Sequence, residues 1–413
     1  MRKISLKLAL LGFLMFGNSP VTDARDQVRE IGPEADLCGE INALPPGDEL
    51  VLRPGDYAGP CTVRQGGLPG DPSVIRAKHP DERPRIVYAG NASNVFTIRA
   101  EHLVFRGLDI GPSQTDVDGF RIHSRGDVTV EDCRFQGLGG IAVVANHTSV
   151  HGVSVRRNEI LGSLATGLYF GCHDGHSCAV TGLIIEGNVI RHVSAPDPAI
   201  GYGIQVKLNS AAVIRANTII DTKGPGIMVY GAQTPGRSSL VERNVIMGSR
   251  QSAGIVIGGG PALVRNNVTV GNARGGIALE DYGQRGLVRS VVVAHNTVYG
   301  NPGGGIVAAD RGLREALVVN NAVYAAAGTH ALPGPMAALR LAGNVTCLAT
   351  FCFTAPERHD YGPAPGGPLD RAGITGVESW APADDFFGAA RGTPPAVGAI
   401  ERSGGPLPLP GLP

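Results

Sequence analysis

Lys207 and Tyr230 have side chains suited to acid–base chemistry, and they stand at the same place in two similar segments, GIQVKLN and GIMVYGA. A lysine amine whose pKa is lowered by burial can accept a proton, and a tyrosine phenol can donate one. Lysine is rare in this chain, and Lys207 is one of two lysines after residue 78. The two residues are therefore candidates for proton transfer, provided that the fold brings their segments together.

A repeated phrase indicates how the fold could do so. An asparagine that opens a short apolar stretch recurs every 23 to 30 residues, at Asn158, Asn188, Asn217, Asn244, Asn267, Asn296, Asn321 and Asn344. A second phrase, a glycine followed by Ile or Leu and then alternating residues, follows most of these asparagines. Each repeat thus predicts two or three short strands. Such a unit cannot bury its apolar face alone, so stacked repeats with one continuous core are expected.

We therefore predict an all-β solenoid, a parallel β-helix, whose neighbouring coils lie about 4.8 Å apart. The asparagines are expected to sit at a bend in left-handed geometry, with each amide bonded to the next coil. Cys133 occupies the asparagine position in VEDCRF, so a buried free thiol is expected there. A β-sandwich is the alternative fold, but it does not predict one asparagine per repeat.

The strand after each repeated glycine predicts one exposed outer wall. Because Ile204 and Val206 should point inward, Gln205 and Lys207 should point outward. The same alternation adds Arg121 and His123, Ala142 and Val144, Tyr169 and Gly171, Met228 and Tyr230, Val256 and Gly258, Ala278 and Glu280, and Val307 and Ala309. Polar loop residues should line one edge, namely Asn146, His147, 173–176, Asn209, Asp281, Tyr282, Asp310 and Arg311. A plain solvated face is the alternative to a binding groove.

Charge excludes one class of partner. Lys and Arg total 36, as do Asp and Glu, so the formal net charge is zero. No basic excess indicates nucleic acid binding. With 60 glycines, 30 prolines and 5% aromatic residues, the composition favours many short strands joined by tight turns. No cofactor is expected. Asp116, Asp118 and Asp281 are weak calcium candidates because no spaced calcium loop accompanies them.

Residues 1–24 are predicted to be a signal peptide, because a positive start precedes an apolar run from Leu8 to Phe16. That run is shorter than the roughly 20 residues of a membrane span, although an uncleaved anchor is the alternative. A periplasmic or secreted protein, with no membrane span after cleavage, is therefore expected. Export predicts three disulfides, Cys38–Cys61, Cys172–Cys178 and Cys347–Cys352. A zinc site built from Cys172, His173, His176 and Cys178 is an alternative whose spacing matches no standard finger.

The repeat resembles the right-handed parallel β-helix repeat family of the pectate lyase-like superfamily, over roughly residues 40–400. The opening LPPGDELVLRPGDYAGPCTV resembles the first coil of such proteins, and ARGTPPAVGAIE resembles their final strand. The resemblance implies a short N-terminal helix that caps the core. We predict a β-helix domain over 34–402 and a disordered tail over 403–413. We also expect a monomer with a polysaccharide as partner.

The segment GIQVKLNSAAVIRANTI is similar to the strand that carries the catalytic lysine in the alginate lyase and chondroitinase B family. That family has an arginine one coil later, where this chain has Tyr230. The resemblance implies a polysaccharide lyase, or a uronate epimerase, that removes the C5 proton with Lys207 as base and Tyr230 as acid. Substrate-binding residues are expected to be Gln205, Tyr169, Asn146, His123, His173, Glu280 and Asp281.

Two other functions are compatible with the sequence. A glycoside hydrolase needs paired carboxylates, and Asp281 and Asp310 occupy equivalent places in adjacent repeats, about 4.8 Å apart, with Glu280 nearby. Both aspartates also fit ordinary turns. The other alternative is a non-catalytic β-helix that binds polysaccharide, during export or at the cell surface.

Overall fold

The computed structural model describes residues 27–232, 237–281, 288–309, 311–375 and 380–410. The predicted signal peptide, Tyr282 and Asp310 lie outside the described residues. Within these ranges the chain has one α-helix, Leu37–Asn42, and two 3₁₀ turns, Thr350–Cys352 and Pro356–Arg358. None of the helices in this part of the chain is long and apolar enough to span a membrane.

Nearly all other regular structure in the described ranges belongs to three parallel sheets that the chain visits in turn. Sheet 1 comprises Val28–Ile31, Glu49–Leu52, Ser73–Ala77, Leu103–Arg106, Gly126–Glu131, Val150–Arg156, Val180–Thr181, Leu183–Glu186, Ala212–Arg215, Ser239–Glu242, Ala262–Arg265, Val291–Ala294, Ala316–Val319 and Leu339–Ala342. Sheet 2 comprises Asp56–Ala58, Arg85–Val87, Asp109–Ile110, Arg134–Leu138, Glu159–Ser163, Val189–Val193, Thr218–Thr222, Val245–Met247, Val268–Val270, Thr297–Asn301, Ala322–Ala325 and Val345–Cys347. Sheet 3 comprises Cys61–Val63, Asn94–Ile98, Asp118–Ile122, Val143–Ala145, Leu168–Phe170, Ile204–Val206, Ile227–Val229, Ile255–Ile257, Ile277–Leu279 and Ile306–Ala308. An antiparallel pair, Phe353–Ala355 with Asp360–Pro363, follows the coils.

The chain is therefore a parallel β-helix of about 12 coils, which confirms the predicted fold class. Strands of each sheet pair in register, so that Ile204, Ile227 and Ile255 stack on one another. Alternation within each strand sends such residues inward, where they form one continuous apolar core. A single coil cannot bury its inward side chains, whereas the stack can.

The predicted asparagine ladder is present along the inside of the coils. The backbone N–H and the side-chain amide of Asn158 both donate to Asn188 Oδ1, at 2.9 and 3.0 Å, and the same pattern continues through Asn217. The predicted geometry was wrong in one respect. The left-handed conformation belongs to the residue before the asparagine, as at Arg157 and Ala216, with φ of 51° and 55°. This bend in the backbone directs the side-chain amide of the following asparagine toward the inside of the coil.

The cysteines behave as predicted. The three disulfides Cys38–Cys61, Cys172–Cys178 and Cys347–Cys352 are formed, and the first fastens the capping helix to the first strand of sheet 3. The zinc alternative loses two of its ligands to the second disulfide. Cys133 is a buried free thiol whose backbone N–H donates to Asn158 Oδ1 at 2.9 Å. Burial raises the pKa of the Cys133 thiol to about 12, which makes it unreactive.

The C-terminal segment packs against the outside of sheet 2. Phe353 and Tyr361 join a second apolar cluster there, together with Leu407. The segment 403–410, expected to belong to a disordered tail, is held by this contact and by a hydrogen bond of 3.0 Å from the Leu407 N–H to the His359 carbonyl.

The ladder gives a stability prediction. Asn217→Ala should lower the free energy of unfolding by about 1–3 kcal/mol, because the buried amide of Asn188 and the Ile185 carbonyl each lose a partner. Asn344→Ala, near the last coil where the side chain is half-buried, should cost less because water can replace the amide. Denaturant unfolding measures both. Equal losses would contradict a ladder whose strength depends on burial.

Candidate functional site

Sheet 3 places the two sequence candidates side by side on its outer surface. Its register pairs Tyr169 with Gln205 and Gln205 with Met228. Two positions later, the Lys207 N–H donates to the Phe170 carbonyl, and the Tyr230 N–H donates to the Val206 carbonyl. Lys207 and Tyr230 therefore follow adjacent strands on the same wall, as the repeat predicted. The predicted register was wrong two coils earlier, because Val144 pairs with Tyr169 and Asn146 thus takes the place beside Gly171.

The wall at this point is covered, which corrects the predicted exposed groove. Tyr169, Gln205, Lys207 and Tyr230 are only 6–8% exposed. Residues 195–202, which we call the strap, project from the coil edge before Ile204–Val206 and carry the buried Tyr202. On the opposite side the disulfide-closed loop 172–178 is fastened by Asn209, whose side-chain amide donates to the Gly175 carbonyl at 3.0 Å. Neither covering segment follows from strand alternation.

Between these segments lies a cleft of about 560 Å³, which we call the reaction cleft. Its walls are Ile141, Ala165, Thr166, Tyr169, His173, 198–202, Gln205, Lys207 and Tyr230. The Lys207 ammonium lies 4.2 Å from the centroid of the Tyr230 ring, within the range of a cation–π contact. The Tyr230 hydroxyl is 3.3 Å from the Tyr202 hydroxyl and 3.4 Å from Gln205 Nε2.

Tyr169 adds a third phenol to those of Tyr230 and Tyr202 in the reaction cleft. Burial raises the pKa of Tyr169 to about 12, and the nearby Tyr230 and Asp174 add to the shift. Tyr169 therefore keeps its proton at neutral pH, and its phenol can donate one hydrogen bond to a ligand and accept another. A cleft with three phenols, an amide and one ammonium suits a ligand rich in hydroxyl and carboxylate oxygens.

Gly171 leaves no open space beside Lys207. Its φ is +100°, and a Cβ atom built there would lie 2.8 Å from Lys207 Cβ and 2.7 Å from Ser210 Oγ. At Gly258 a Cβ would approach Met228 Cε at 3.0 Å. Both glycines are closely packed, and at Gly171 the absence of a side chain leaves room for Lys207 Cβ.

Two predicted binding residues, His123 and Asn146, lie away from the reaction cleft along the wall. His123 stacks on His147, with ring centroids 5.1 Å apart, and burial is the main cause of its lowered pKa. Asn146 is two strands from Lys207, and its Oδ1 accepts a hydrogen bond of 2.7 Å from Arg121. Arg121 also pairs with Asp118, so this end of the wall is a closed polar network.

Glu280 lies on the other side of the strap, in a second cleft of about 270 Å³ that also contains Lys223, Gln251 and Arg274. Asp281 is buried, and the backbone turn at Gly312 packs directly against its carboxylate. Asp310, the second carboxylate of the predicted hydrolase pair, lies outside the described residues. Those residues contain no cluster of three or more His, Cys, Asp or Glu side chains that could hold a metal ion.

Sequence reasoning missed two residues of the reaction cleft, Tyr202 and Thr166. Both precede a strand of sheet 3, in a turn where alternation makes no prediction about direction. For Tyr202 a signal existed, because the flanking glycines Gly201 and Gly203 are unusual neighbours for an aromatic residue in a chain with 5% aromatics.

The comparison with protein families is consistent with this architecture. A family model described as the right handed beta helix region matches residues 118–332, more than half of the chain. The chain belongs to the right-handed β-helix family. The matched coils include every strand that borders the reaction cleft. No curated protein matches the chain.

Solved structures of this family share the fold at low identity. Pectate lyase Pel9A has a TM-score of 0.58 and 14% identity, covering 91% of this chain and 96% of that one. The structure of XylC with xylose has a TM-score of 0.60 and 9% identity, covering 91% and 98%. The A-module of Azotobacter vinelandii mannuronan C-5 epimerase AlgE4 has a TM-score of 0.51 and 14% identity, covering 73% and 89%. Similarity at such low identity shows a common fold, and activity has to be inferred from the residues of the site.

The close packing around Gly171 predicts that an added side chain there destabilises the fold. Gly171→Ala should lower the free energy of unfolding by about 1–3 kcal/mol more than Gly328→Ala, because only at Gly171 would the new methyl group collide with neighbours. Gly328 is a matched control, with φ of +81° and open space around it. Thermal or denaturant unfolding of both variants measures the difference. Equal effects would show that Lys207 is not packed against this glycine.

Proposed function

We propose that this protein is an exported enzyme that acts on an acidic polysaccharide by removing the C5 proton of a uronic acid unit, as a lyase or an epimerase. The observation that carries the proposal is the contact between Lys207 and Tyr230 inside a covered cleft. Two of the structural neighbours are a pectate lyase and a mannuronan C-5 epimerase, which supports this class of chemistry on the same fold.

The site contains groups for each step of a β-elimination. The neutral Lys207 amine takes the C5 proton, and the electron pair of that C–H bond forms the C4–C5 double bond. The bond from C4 to the glycosidic oxygen breaks, and Tyr230 gives its phenolic proton to that oxygen. In an epimerase the glycosidic bond stays intact, and a proton returns to C5 from the opposite face.

The position of the phenol supports the role of Tyr230. The Tyr230 hydroxyl is oriented by two neighbours, Tyr202 and Gln205, so it is directed at one point in the cleft. Oriented donors stabilise charge that develops during reaction without having to reorganise.

The remaining polar groups are assigned to substrate binding. Gln205 and His173 line the reaction cleft, and we assign them to the uronate carboxylate. Tyr169, which keeps its proton at neutral pH, is assigned to a sugar hydroxyl. Asn146 and His123 are not assigned, because the structure places them in the network around Arg121 and beside His147.

The proposal predicts activity on uronate polymers that depends on Lys207 and Tyr230. Purified protein should generate the ultraviolet absorbance of an unsaturated uronate, or exchange C5 hydrogen for deuterium in heavy water if it is an epimerase. Lys207→Met and Tyr230→Phe should each lower the rate by about 10²–10⁴-fold, because each removes one proton-transfer group while keeping most of the side chain.

Lys78→Met and Tyr324→Phe are matched controls, since both residues lie outside the reaction cleft. Lys78 pairs with Glu30, and Tyr324 stacks on Tyr299. Both variants should keep full activity. New reducing ends without the absorbance would indicate a hydrolase, and binding without any reaction would indicate a polysaccharide-binding protein. Full activity of Lys207→Met would contradict the proposed mechanism.

A further inference from the structure

The strap 195–202 is fastened by a residue of the next coil. Lys223 Nζ donates to Asp197 Oδ1 at 2.5 Å and to the Ala199 carbonyl at 2.6 Å. Both acceptors belong to the strap. The backbone adds one contact, a hydrogen bond of 2.8 Å from the Gly224 N–H to the Gly201 carbonyl. The strap is therefore held in place by the next coil, which carries Tyr230, as well as by its own coil.

The burial of this ion pair is uneven. The Lys223 side chain is 10% exposed, whereas that of Asp197 is 89% exposed. A pair formed only for surface charge would leave both partners in water and would contribute little. Here the buried Lys223 stem packs beside Gly201 of the strap. Its ammonium donates to the Ala199 carbonyl as well as to the Asp197 carboxylate. Replacing Lys223 should therefore make the strap more mobile.

The strap ends at the reaction cleft. Tyr202, its last residue, is buried and places its hydroxyl 3.3 Å from that of Tyr230. The backbone N–H that follows, at Gly203, donates to the Pro225 carbonyl at 3.0 Å, which anchors one end of the strap. Lys223 holds the middle of the strap, at Asp197 and Ala199. The position of the Tyr202 phenol therefore depends on how well the strap is held.

We propose that Lys223 is a positioning residue that acts through the strap to hold Tyr202 against Tyr230. This inference rests on the proposed function for its kinetic part, since Tyr202 matters there by orienting the Tyr230 hydroxyl. Lys223 itself does not border the reaction cleft. It lines the second cleft, on the other side of the strap.

The first test needs no substrate. In protein labelled with fluorotyrosine, the ¹⁹F resonance of Tyr230, assigned with Tyr230→Phe, should shift or broaden in Lys223→Met. Hydrogen exchange of peptides covering 195–203 should become faster in the same variant. Lys78→Met removes a lysine of a similar ion pair with Glu30 and should change neither signal. An unchanged ¹⁹F resonance and unchanged exchange in Lys223→Met would overturn the inference, whatever the enzyme acts on.

The second test uses kinetics on a polymer that the wild-type protein converts. Lys223→Met should lower kcat roughly 10- to 100-fold with a smaller change in KM, and Lys223→Arg should restore part of the loss. Tyr202→Phe should lower kcat in the wild type and have little further effect in Lys223→Met, because the phenol is already misplaced. Additive losses would overturn the inference. Absence of any converted polymer would count against the proposed function, while the first test would still decide the role of Lys223.

Discussion

Coil-to-coil register is the constraint on which the rest of this structure depends. The contact between Lys207 and Tyr230 joins side chains of two neighbouring coils, so it requires those coils to be aligned to within one residue. A slip by one residue would turn each outward side chain into the core. The asparagine ladder opposes such a slip, because each buried amide has its acceptor only in the correct register.

A second feature supports the same alignment from outside. On the outer edge of sheet 1, seven consecutive strands present oppositely charged residues in alternation, namely Arg106, Glu131, Arg156, Glu186, Arg215, Glu242 and Arg265. Several adjacent pairs form ion pairs, including Arg215 with Glu186 at 2.8 Å. Each exposed pair contributes little stability, but a shifted strand would lose its oppositely charged partners on both sides. The asparagine ladder and the alternating charges on sheet 1 therefore both help to keep the coils that carry Lys207 and Tyr230 in register.

The fold could be predicted in detail because its determinants are local and repeated. The asparagine spacing identified the coils, and the exceptional position of Cys133 followed from the same pattern. Lys207 and Tyr230 could be placed together because they occupy the same position in adjacent repeats. The covered state of the site could not be predicted, because the strap and the loop 172–178 are insertions between strands, and no periodicity describes their direction. For the same reason Tyr202 and Lys223 were missed, and Asn146 was placed in a loop.

The chemistry depends on this covering. A lysine and three phenols on an open wall would be solvated and would interact only weakly, whereas in a covered cleft the same contacts are stronger and better oriented. The disulfide Cys172–Cys178 closes one covering segment, and such bonds fit a protein that folds in an oxidising compartment. The three disulfides are therefore compatible with the expected export.

The most direct test of the account is the coupling free energy between Lys207 and Tyr230 in the folded protein. A double-mutant cycle of Lys207→Met and Tyr230→Leu, measured by denaturant unfolding, isolates that contact from the cost of each substitution. The structure predicts a coupling of about 0.5–2 kcal/mol, the range of a partly desolvated cation–π contact. A coupling of zero would mean that the two side chains do not share one wall, and the proposed site would fall with it.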